Sequence, residues 1–574
     1  MQALKGQLTL RGVAIGCVGC AIITAASAYT ALKMGALPWP IIFAAIISLF
    51  FLKALGRTNL NEANVTHTVM SAGAMVAGGL AFTIPGAWML GHAAEIDWWQ
   101  MLAVALAGVV LGLVCTALLR RHFIEDAELE YPIGQAAAQT LVAGDSGGST
   151  GKKLFGTMGL AGLFTALRDG LGAIPSLLFG NVALPGMAFG VYLSPMLLAV
   201  GFLVGTGAVA VWFAGALIGN FGIVVGGTAA GLWDTAGAQG IVSSLGMGVM
   251  MGCGVGVIAK NILPKAVSLV RDTRGSVAVA RVDAASPAAA DEAAATAAPG
   301  ARHRRRLTAG LAALAVAAVA LLACFALGLG AVPSVIVVLL AFVTCAMSAQ
   351  SVGQTGIDPM EIFGLIVLLA VAALSDVAQV QLFFVAGVVA VACGLAGDIM
   401  NDFKAGHVLG TDPRAQWIGQ AVGGVLGAVV AVAVMAVHLA AYGPDAFGLQ
   451  GTFVAAQASV VATMVAGIPS VPAFLVGLAV GFALYLLGAP AMMLGLGIYL
   501  PFYMSLTAFL GAMAKMAYDA VCARRRAKLP PDEAAARLKA QDETGLVVAS
   551  GLLGGESVVG VVIALAAVAA GLGA

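Results

Sequence analysis

Charged residues are scarce in this sequence. They make up only 10% of its 574 residues, and the formal net charge is +1, whereas soluble proteins contain about 25% charged residues. A protein that binds nucleic acid needs a basic surface for the phosphates. The composition therefore argues against a soluble globular protein and against a nucleic-acid partner.

Motifs that mark metalloenzymes and ATP-driven pumps are also missing. The sequence contains no His-Glu-x-x-His zinc motif and no Gly-x4-Gly-Lys-Ser/Thr nucleotide loop. Cys17 and Cys20 resemble a metal or redox pair, but both lie in a long apolar run, where buried, inert thiols are the simpler interpretation. We therefore expect no enzyme, no resident metal and no cofactor; the energy source would be a proton gradient.

The sequence is instead rich in long apolar segments. Hydrophobic residues make up 61% of the chain, and its mean hydropathy is +1.01. The apolar runs, among them 190–217, 382–399, 451–469 and 491–512, are too long for the strands of a membrane barrel. The sequence predicts an all-α, polytopic integral membrane protein.

The chain divides at a low-complexity stretch. Residues 261–306 are basic and rich in Ala, and we predict a flexible cytoplasmic linker between two similar halves, 1–260 and 307–574. Lysine and arginine are concentrated in this linker and at 515–539, so both loops should be cytoplasmic. This orientation places the N-terminus in the cytoplasm, and we expect the inner (plasma) membrane.

Several apolar segments are too short or too irregular for a simple crossing. Pro85 interrupts residues 62–91, residues 131–144 are short, and the polar residues 350–358 precede a short segment at 359–374. Broken helices are tolerated at membrane depth only where protein or a cavity covers their ends. Because transporters build binding sites from such segments, the sequence favours a transporter.

The polar stretch 398–410 lies between two long apolar segments. Asp398, Asn401 and Asp402 would share one face of a helix, with Lys404 and His407 on the adjoining arc. Ionised side chains at bilayer depth are costly and usually have a partner or a function. We predict that the amide, lysine and histidine bind substrate and that the two carboxylates exchange a proton. A short amphipathic connector in water is the alternative.

Polar residues near other helix starts and breaks complete the candidate set. The further expected substrate-binding residues are Glu62, Asn64, His67, Tyr131, Gln135, Gln139 and Tyr499. Asn61 could simply cap the first of these helices. The N–H groups exposed after Pro132 would attract a substrate carboxylate, although a structural re-entrant hairpin is the alternative. Glu556 stands alone in an apolar helix, and we predict that it carries a proton rather than a structural hydrogen bond.

Five separated motifs resemble those of the oligopeptide transporter (OPT) family. They are 61–85 (beginning NEANVTHT), 129–136 (LEYPIGQA), 398–420 (beginning DIMNDFKAGHVLG), 497–501 (GIYLP) and 551–556 (GLLGGE). The resemblance implies roughly sixteen helical segments, some broken or re-entrant, and a secondary-active, usually proton-coupled symporter. Substrates in this family are small peptides, glutathione-like compounds or metal chelates. The Asn-Pro-Gly and Lys-Ile-Pro-Pro-Arg motifs of the eukaryotic peptide-transporting branch are missing, so the chain looks closer to prokaryotic and yellow-stripe-like members.

We therefore predict a proton-coupled symporter of small peptides or metal chelates that works by alternating access. Its expected partners are the substrate, protons and the lipid bilayer, with a homo-oligomer left open. A passive channel or facilitator is the main alternative. An intramembrane aspartyl protease is disfavoured because the glycine spacing before Asp398 is wrong for one.

Overall fold

Helices dominate the part of the chain that the structure describes. The structure is a computed structural model that describes residues 6–260 and 314–570, apart from residues 36, 38, 39, 146–149, 181, 258, 320, 324, 357, 449, 450 and 528. The predicted linker, 261–306, lies outside the described residues. Ten helical segments in the described part are long and apolar enough to cross a membrane. This confirms the predicted all-α, polytopic membrane protein.

We number the principal helices α1 to α19 in chain order. They are Leu10–Met34 (α1), Pro40–Ala54 (α2), Leu60–Ala81 (α3), Ile84–Met89 (α4), Trp98–Arg120 (α5), Pro132–Asp145 (α6), Thr150–Thr165 (α7), Pro195–Val204 (α8), Thr206–Ala216 (α9), Thr235–Val257 (α10), Ala331–Thr355 (α11), Met360–Leu374 (α12), Gln379–Leu409 (α13), Pro413–Tyr442 (α14), Ala456–Ala466 (α15), Val471–Leu486 (α16), Ala491–Tyr499 (α17), Phe502–Arg526 (α18) and Pro531–Ala569 (α19).

Two short antiparallel strand pairs precede α8. Leu177–Leu178 (β1) pairs with Val191–Tyr192 (β4), and Ala183–Leu184 (β2) pairs with Met187–Ala188 (β3). The outer pair ends two residues before α8 begins, and Ser194 caps that helix by accepting a hydrogen bond from the Leu197 amide. The strands therefore lead directly into the capped start of α8.

Three predicted spans are shorter or broken in the structure. The segment 190–217 begins in β4 and then splits into α8 and α9 at Gly205, whose φ of 96° suits glycine. The segment 491–512 splits at Pro501, which has no N–H to continue a helix, so α17 ends and α18 begins there. Of the segment 451–469, only the 11 residues of α15 are α-helical. Glycine and proline thus convert predicted spans into half-helices.

Helix α13 is longer than the sequence indicates. Residues 398–410 are not a separate short helix, because α13 runs unbroken for 31 residues and ends only at Gly410, which has the left-handed φ of 72°. The membrane-crossing part of α13 is buried throughout. The polar residues Asp398, Asn401 and Asp402 in this part are covered by other helices. The basic loop predicted at 515–539 is likewise mostly helical, since α18 and α19 are separated by only a few residues.

Two groups of packed helices bear on the candidate site, and a further set comprises α7, α8, α18 and α19. In the first group, α13 is the centre and contacts α3, α5, α6, α11 and α12, while α3 also packs against α1 and α14. Helices from both halves of the chain therefore share one core, and the internal similarity of the halves stays a prediction. In the second group, α10 packs against α16 and α17, and α17 packs against α9.

Glycines allow the second group to pack tightly. A side chain at Gly252 of α10 would collide with the Leu478 carbonyl of α16, and one at Gly497 of α17 would collide with the Trp212 carbonyl of α9. Close backbone approach through small residues is typical of helix pairs in membranes. We call α9, α10, α16 and α17 the glycine-packed group.

Candidate functional site

The polar face of α13 is buried inside the protein. Asp398 is 1% exposed, Asn401 is 3% exposed and Asp402 is fully buried. The alternative of an amphipathic connector in water is therefore wrong for these three residues. The same helix places Lys404 at a half-buried position and His407 at an exposed one, so the structure separates them from the buried face.

Side chains from two neighbouring helices surround Asp402. Ser71 of α3 donates a hydrogen bond to Asp402 Oδ2 at 3.2 Å, and Gln420 of α14 donates a second at 2.5 Å. His67 Nε2 of α3 lies 3.5 Å from Asp402 Oδ1, which is too long for a strong hydrogen bond. The predicted residues His67 and Asp402 are thus brought together, and two donors are available to the ionised form of the carboxylate.

Asp398 is in a different environment one turn earlier. Neither of its carboxylate oxygens has a hydrogen-bond partner in the described part of the chain, and both are buried. A buried polar group without a partner is unusual and destabilising. Because Asp398 and Asp402 are four residues apart on one helix, their carboxyls are neighbours. The structure therefore places two carboxyls side by side, one with two hydrogen-bond donors and one with none.

The start of α6 meets the same face of α13. The Gly134 amide donates a hydrogen bond to Asn401 Oδ1 at 3.1 Å, so one of the N–H groups expected to attract a substrate carboxylate already has a protein acceptor. Tyr131 is buried and anchors this helix start, because its amide bonds the Gly353 carbonyl and its hydroxyl bonds the Ala349 carbonyl. These contacts favour the structural alternative for Tyr131.

The two glutamines of α6 lie away from the buried cluster. Gln135 is half-buried and donates to the Glu130 carbonyl at 2.6 Å, and Gln139 is exposed. Their substrate-binding role stays a prediction.

The first turn of α3 has a structural role. Glu62 forms a two-pronged ion pair with Arg11, with N–O distances of 2.7 and 2.6 Å. Hydroxyl groups of Thr9 and Thr58 also donate to its carboxylate. Such an arrangement locks α1 to α3. Glu62 therefore has its full set of protein partners.

The cap of α3 is not the predicted one. Asn59, and not Asn61, accepts the hydrogen bond from the Glu62 amide, at 2.8 Å, because the helix begins two residues earlier than expected. Asn61 instead accepts from the Thr411 hydroxyl at 2.8 Å, and Asn64 donates to the same hydroxyl at 3.1 Å. The two asparagines thus tie α3 to the turn that follows α13.

Glu556 is buried but not isolated, contrary to the expectation from sequence. Its carboxylate accepts from the Arg168 guanidinium at 2.9 Å, from the Ser194 hydroxyl at 2.9 Å and from the Met196 amide at 2.8 Å. This pairing could not be predicted from sequence, because Arg168 lies 388 positions away. Three donors hold the carboxyl group in place, and two of them, Ser194 and Met196, join α19 to the start of α8.

A cavity of about 230 Å³ lies beside Asp398, between α13 and the glycine-packed group. Asp358 and Glu361, at the junction of α11 and α12, add two more carboxylates to its wall, and Asn401 and Gln457 add amides. Neither acid is among the binding residues predicted from sequence. Their position in the sequence could have indicated a site, since both lie where the polar residues 350–358 meet a short apolar helix.

A second cavity, of about 610 Å³, lies at the other end of α17. Tyr499, a predicted binding residue, lines it together with Pro501 and Tyr503. Asn220, Gln239 and Ser243 supply further polar groups. Helix α17 therefore separates the two cavities along its length, with Met492 and Met493 at the smaller cavity and Tyr499 at the larger one.

Comparison with known proteins agrees with this architecture. Residues 7–567 match the model of the family described as OPT oligopeptide transporter protein. A Haemophilus influenzae protein named "Putative oligopeptide transporter" is 35% identical over 145 residues, which are 25% of this chain and 23% of that protein. The match thus spans about a quarter of either protein, whereas the family model covers nearly the whole chain. The chain belongs to the OPT oligopeptide transporter family.

Proposed function

We propose that this protein is a proton-coupled symporter that carries small peptides across the inner membrane by alternating access. The observation that supports the proposal best is the pair Asp398 and Asp402, buried in the middle of a fully covered membrane helix. Membrane-embedded carboxyls of this kind mark proton relays in transporters. Because Asp402 has two hydrogen-bond donors and Asp398 has none, the pair is suited to share and release one proton.

The two cavities support an elongated substrate of a few residues. Met492 in the smaller cavity and Tyr499 in the larger one are seven residues apart on α17. At about 1.5 Å per residue this separation is about 10 Å. An extended peptide covers about 3.3–3.6 Å per residue, so about three residues match the length of α17 from Met492 to Tyr499, the stretch that lines both cavities. A tripeptide is therefore the size of substrate that we propose.

The packing of the two helix groups supports alternating access. The smaller cavity lies where the α13 group meets α17 of the glycine-packed group. Collisions that any side chain would cause at Gly252 and Gly497 show how tightly the second group is packed. We propose that this group moves as one body against the α13 group and opens the cavity to each side of the membrane in turn.

The test is uptake by proteoliposomes under an imposed inward proton gradient. The substrate panel comprises tri- to hexapeptides, glutathione, and iron and nickel chelates, each measured with the gradient and after a protonophore has collapsed it. We expect accumulation of tripeptides that disappears with the gradient. Asp398→Asn should abolish this accumulation, and Asp376→Asn, which changes an exposed acid outside both cavities, should not.

Two results would contradict the proposal. Uptake that saturates poorly and ignores the gradient would favour a passive channel or facilitator. Accumulation of a metal chelate without any peptide would keep the symporter but replace its substrate class. Protease protection of the N-terminus in oriented vesicles would test the proposed cytoplasmic location, and mass determination in detergent would test for a homo-oligomer.

A further inference from the structure

Three carboxylates line the smaller cavity without a basic partner. Asp358 and Glu361 come from the junction of α11 and α12, and Asp398 comes from α13. Within the described residues, none of the three forms a salt bridge with lysine, arginine or histidine. Carboxyl groups buried together without a counter-charge are costly to ionise, and a bound cation would lower that cost. The cavity is therefore prepared for a positively charged group.

The carboxylate oxygens that face the cavity are short of donors. Both oxygens of Asp398, a residue only 1% exposed, lack a partner in the described part of the chain. Asp358 accepts a hydrogen bond from Ser348 at 2.7 Å through Oδ1, while its buried Oδ2 has none. An ammonium group carries three N–H donors. A primary ammonium in the cavity would supply the kind of donor that these oxygens lack.

We propose that this cavity binds the α-ammonium group of the substrate peptide, with Glu361 and Asp358 as its counter-charges and with Asp398, the member of the proton-carrying pair that lines the cavity, beside them. The inference rests on the proposed peptide transport and goes further, because it fixes the direction of the peptide. The amino end lies at the start of α17, and the rest of the peptide extends toward Tyr499.

An ammonium group fits these walls better than a metal ion. Among the described residues, no three His, Cys, Asp or Glu side chains converge as metal ligands. The remaining wall is largely apolar and includes Met75, Met360, Met492 and Met493. Methionine side chains adapt to different apolar shapes. The cavity therefore combines counter-charges for an amine with a flexible surface for the first side chain of the peptide.

The volume of the cavity agrees with this assignment. A protein cavity of about 150 Å³ can hold a benzene molecule, and this cavity measures about 230 Å³. It is large enough for an amino group together with one side chain of moderate size. We therefore expect a preference for an unbranched apolar residue at the amino end.

The experiment measures binding and does not depend on transport. Purified protein in detergent is titrated with Met-Ala-Ala and with its N-acetylated form by isothermal calorimetry. We expect N-acetylation to weaken binding to the parent protein by about tenfold or more, because it removes the charge. Glu361→Gln should weaken binding of the free peptide and leave little difference between the two peptides. Asp376→Asn is the matched control and should bind as the parent does.

The outcomes separate this inference from the proposed function. Equal affinity of the parent for the two peptides would overturn the inference, and this comparison needs no variant to fold. A difference that persists undiminished in both Glu361→Gln and Asp358→Asn would also overturn it. Discrimination in binding without gradient-driven uptake would support the inference and contradict only the proton coupling. Absence of peptide binding would overturn both the inference and the peptide substrate.

Discussion

Replacing Asp402 by asparagine is the sharpest test of the proton-carrying pair. Asparagine has nearly the same shape as aspartate, and its amide oxygen can accept the hydrogen bonds that Ser71 and Gln420 now donate to Asp402. The fold should therefore change little. The amide cannot exchange a proton, however. Asp398 would have to ionise alone, without the donors that support its neighbour.

The size of the effect follows from the gradient. One pH unit stores about 1.4 kcal/mol per proton, which is about tenfold in an equilibrium ratio. Two neighbouring carboxyls that share one proton should couple one proton to each substrate. The steady-state accumulation ratio of the parent should then rise about tenfold for each unit of imposed pH difference. In Asp402→Asn this dependence should fall close to zero.

The assay is the accumulation of a labelled tripeptide in proteoliposomes at several imposed pH differences, with the membrane potential clamped. Exchange of labelled for unlabelled peptide at equal pH serves as the control, because it needs the substrate site and not a gradient. We expect Asp402→Asn to retain exchange within about threefold of the parent, since an isosteric change costs little binding energy. A parent-like dependence on pH difference in both Asp402→Asn and Asp398→Asn would refute the assignment.

Three further predictions concern stability. Gly252→Ala should lower the melting temperature of the purified protein, because it forces α10 away from α16 at a cost of about 1–3 kcal/mol, whereas Gly207→Ala, which meets no atom within 4 Å, should not. Glu556→Gln should also lower the melting temperature, since it removes one of the two carboxylates, Glu556 and Asp169, that pair with the buried Arg168 guanidinium. It should leave the pH dependence of accumulation unchanged; an altered dependence would support the prediction that Glu556 carries a proton. His92 lies in the connection between α4 and α5, and its hydrogen bond to the Glu95 carboxylate, at 2.8 Å, raises the pKa of His92. A raised pKa means that the contact stabilises the fold below the ordinary histidine pKa of about 6.5, and this stabilisation is lost as the pH rises through the pKa of the folded state. His92→Gln should therefore lower the melting temperature at pH 5.5 and not at pH 8.5. An equal change in melting temperature at the two pH values would contradict this.

The sequence alone was sufficient to predict the class of protein and one part of the candidate site. Hydrophobic length predicts membrane helices because each must cross about 30 Å of hydrocarbon. The spacing of Asp398, Asn401 and Asp402 predicts a shared helix face because that spacing is local. The contact of this face with His67 and with the start of α6 does not follow from local spacing. It depends on how α3 and α6 pack, and only the structure brings them together.

Errors of two kinds have clear physical causes. Glu556 was expected to be isolated, because its partner Arg168 lies far away in sequence and no periodic pattern connects them. The spans that break at Gly205 and Pro501 were expected to be continuous, because hydropathy is insensitive to backbone conformation. Glycine and proline act on φ and on hydrogen bonding without changing the apolar character of a segment.

The location of the acidic cavity could not be inferred from periodicity at all. On a surface helix, the boundary between apolar and polar residues indicates which side faces water. Helix α13 has no such side, because its membrane-crossing part is buried throughout. Its polar residues face α3, α14 and the cavity in different directions. The packing of the neighbouring helices alone determines which residue faces which of them. Asp398 reaches the cavity and Asp402 does not, although the two are one turn apart. A helix at the centre of a transporter can thus carry the chemistry of two sites on what the sequence presents as a single polar face.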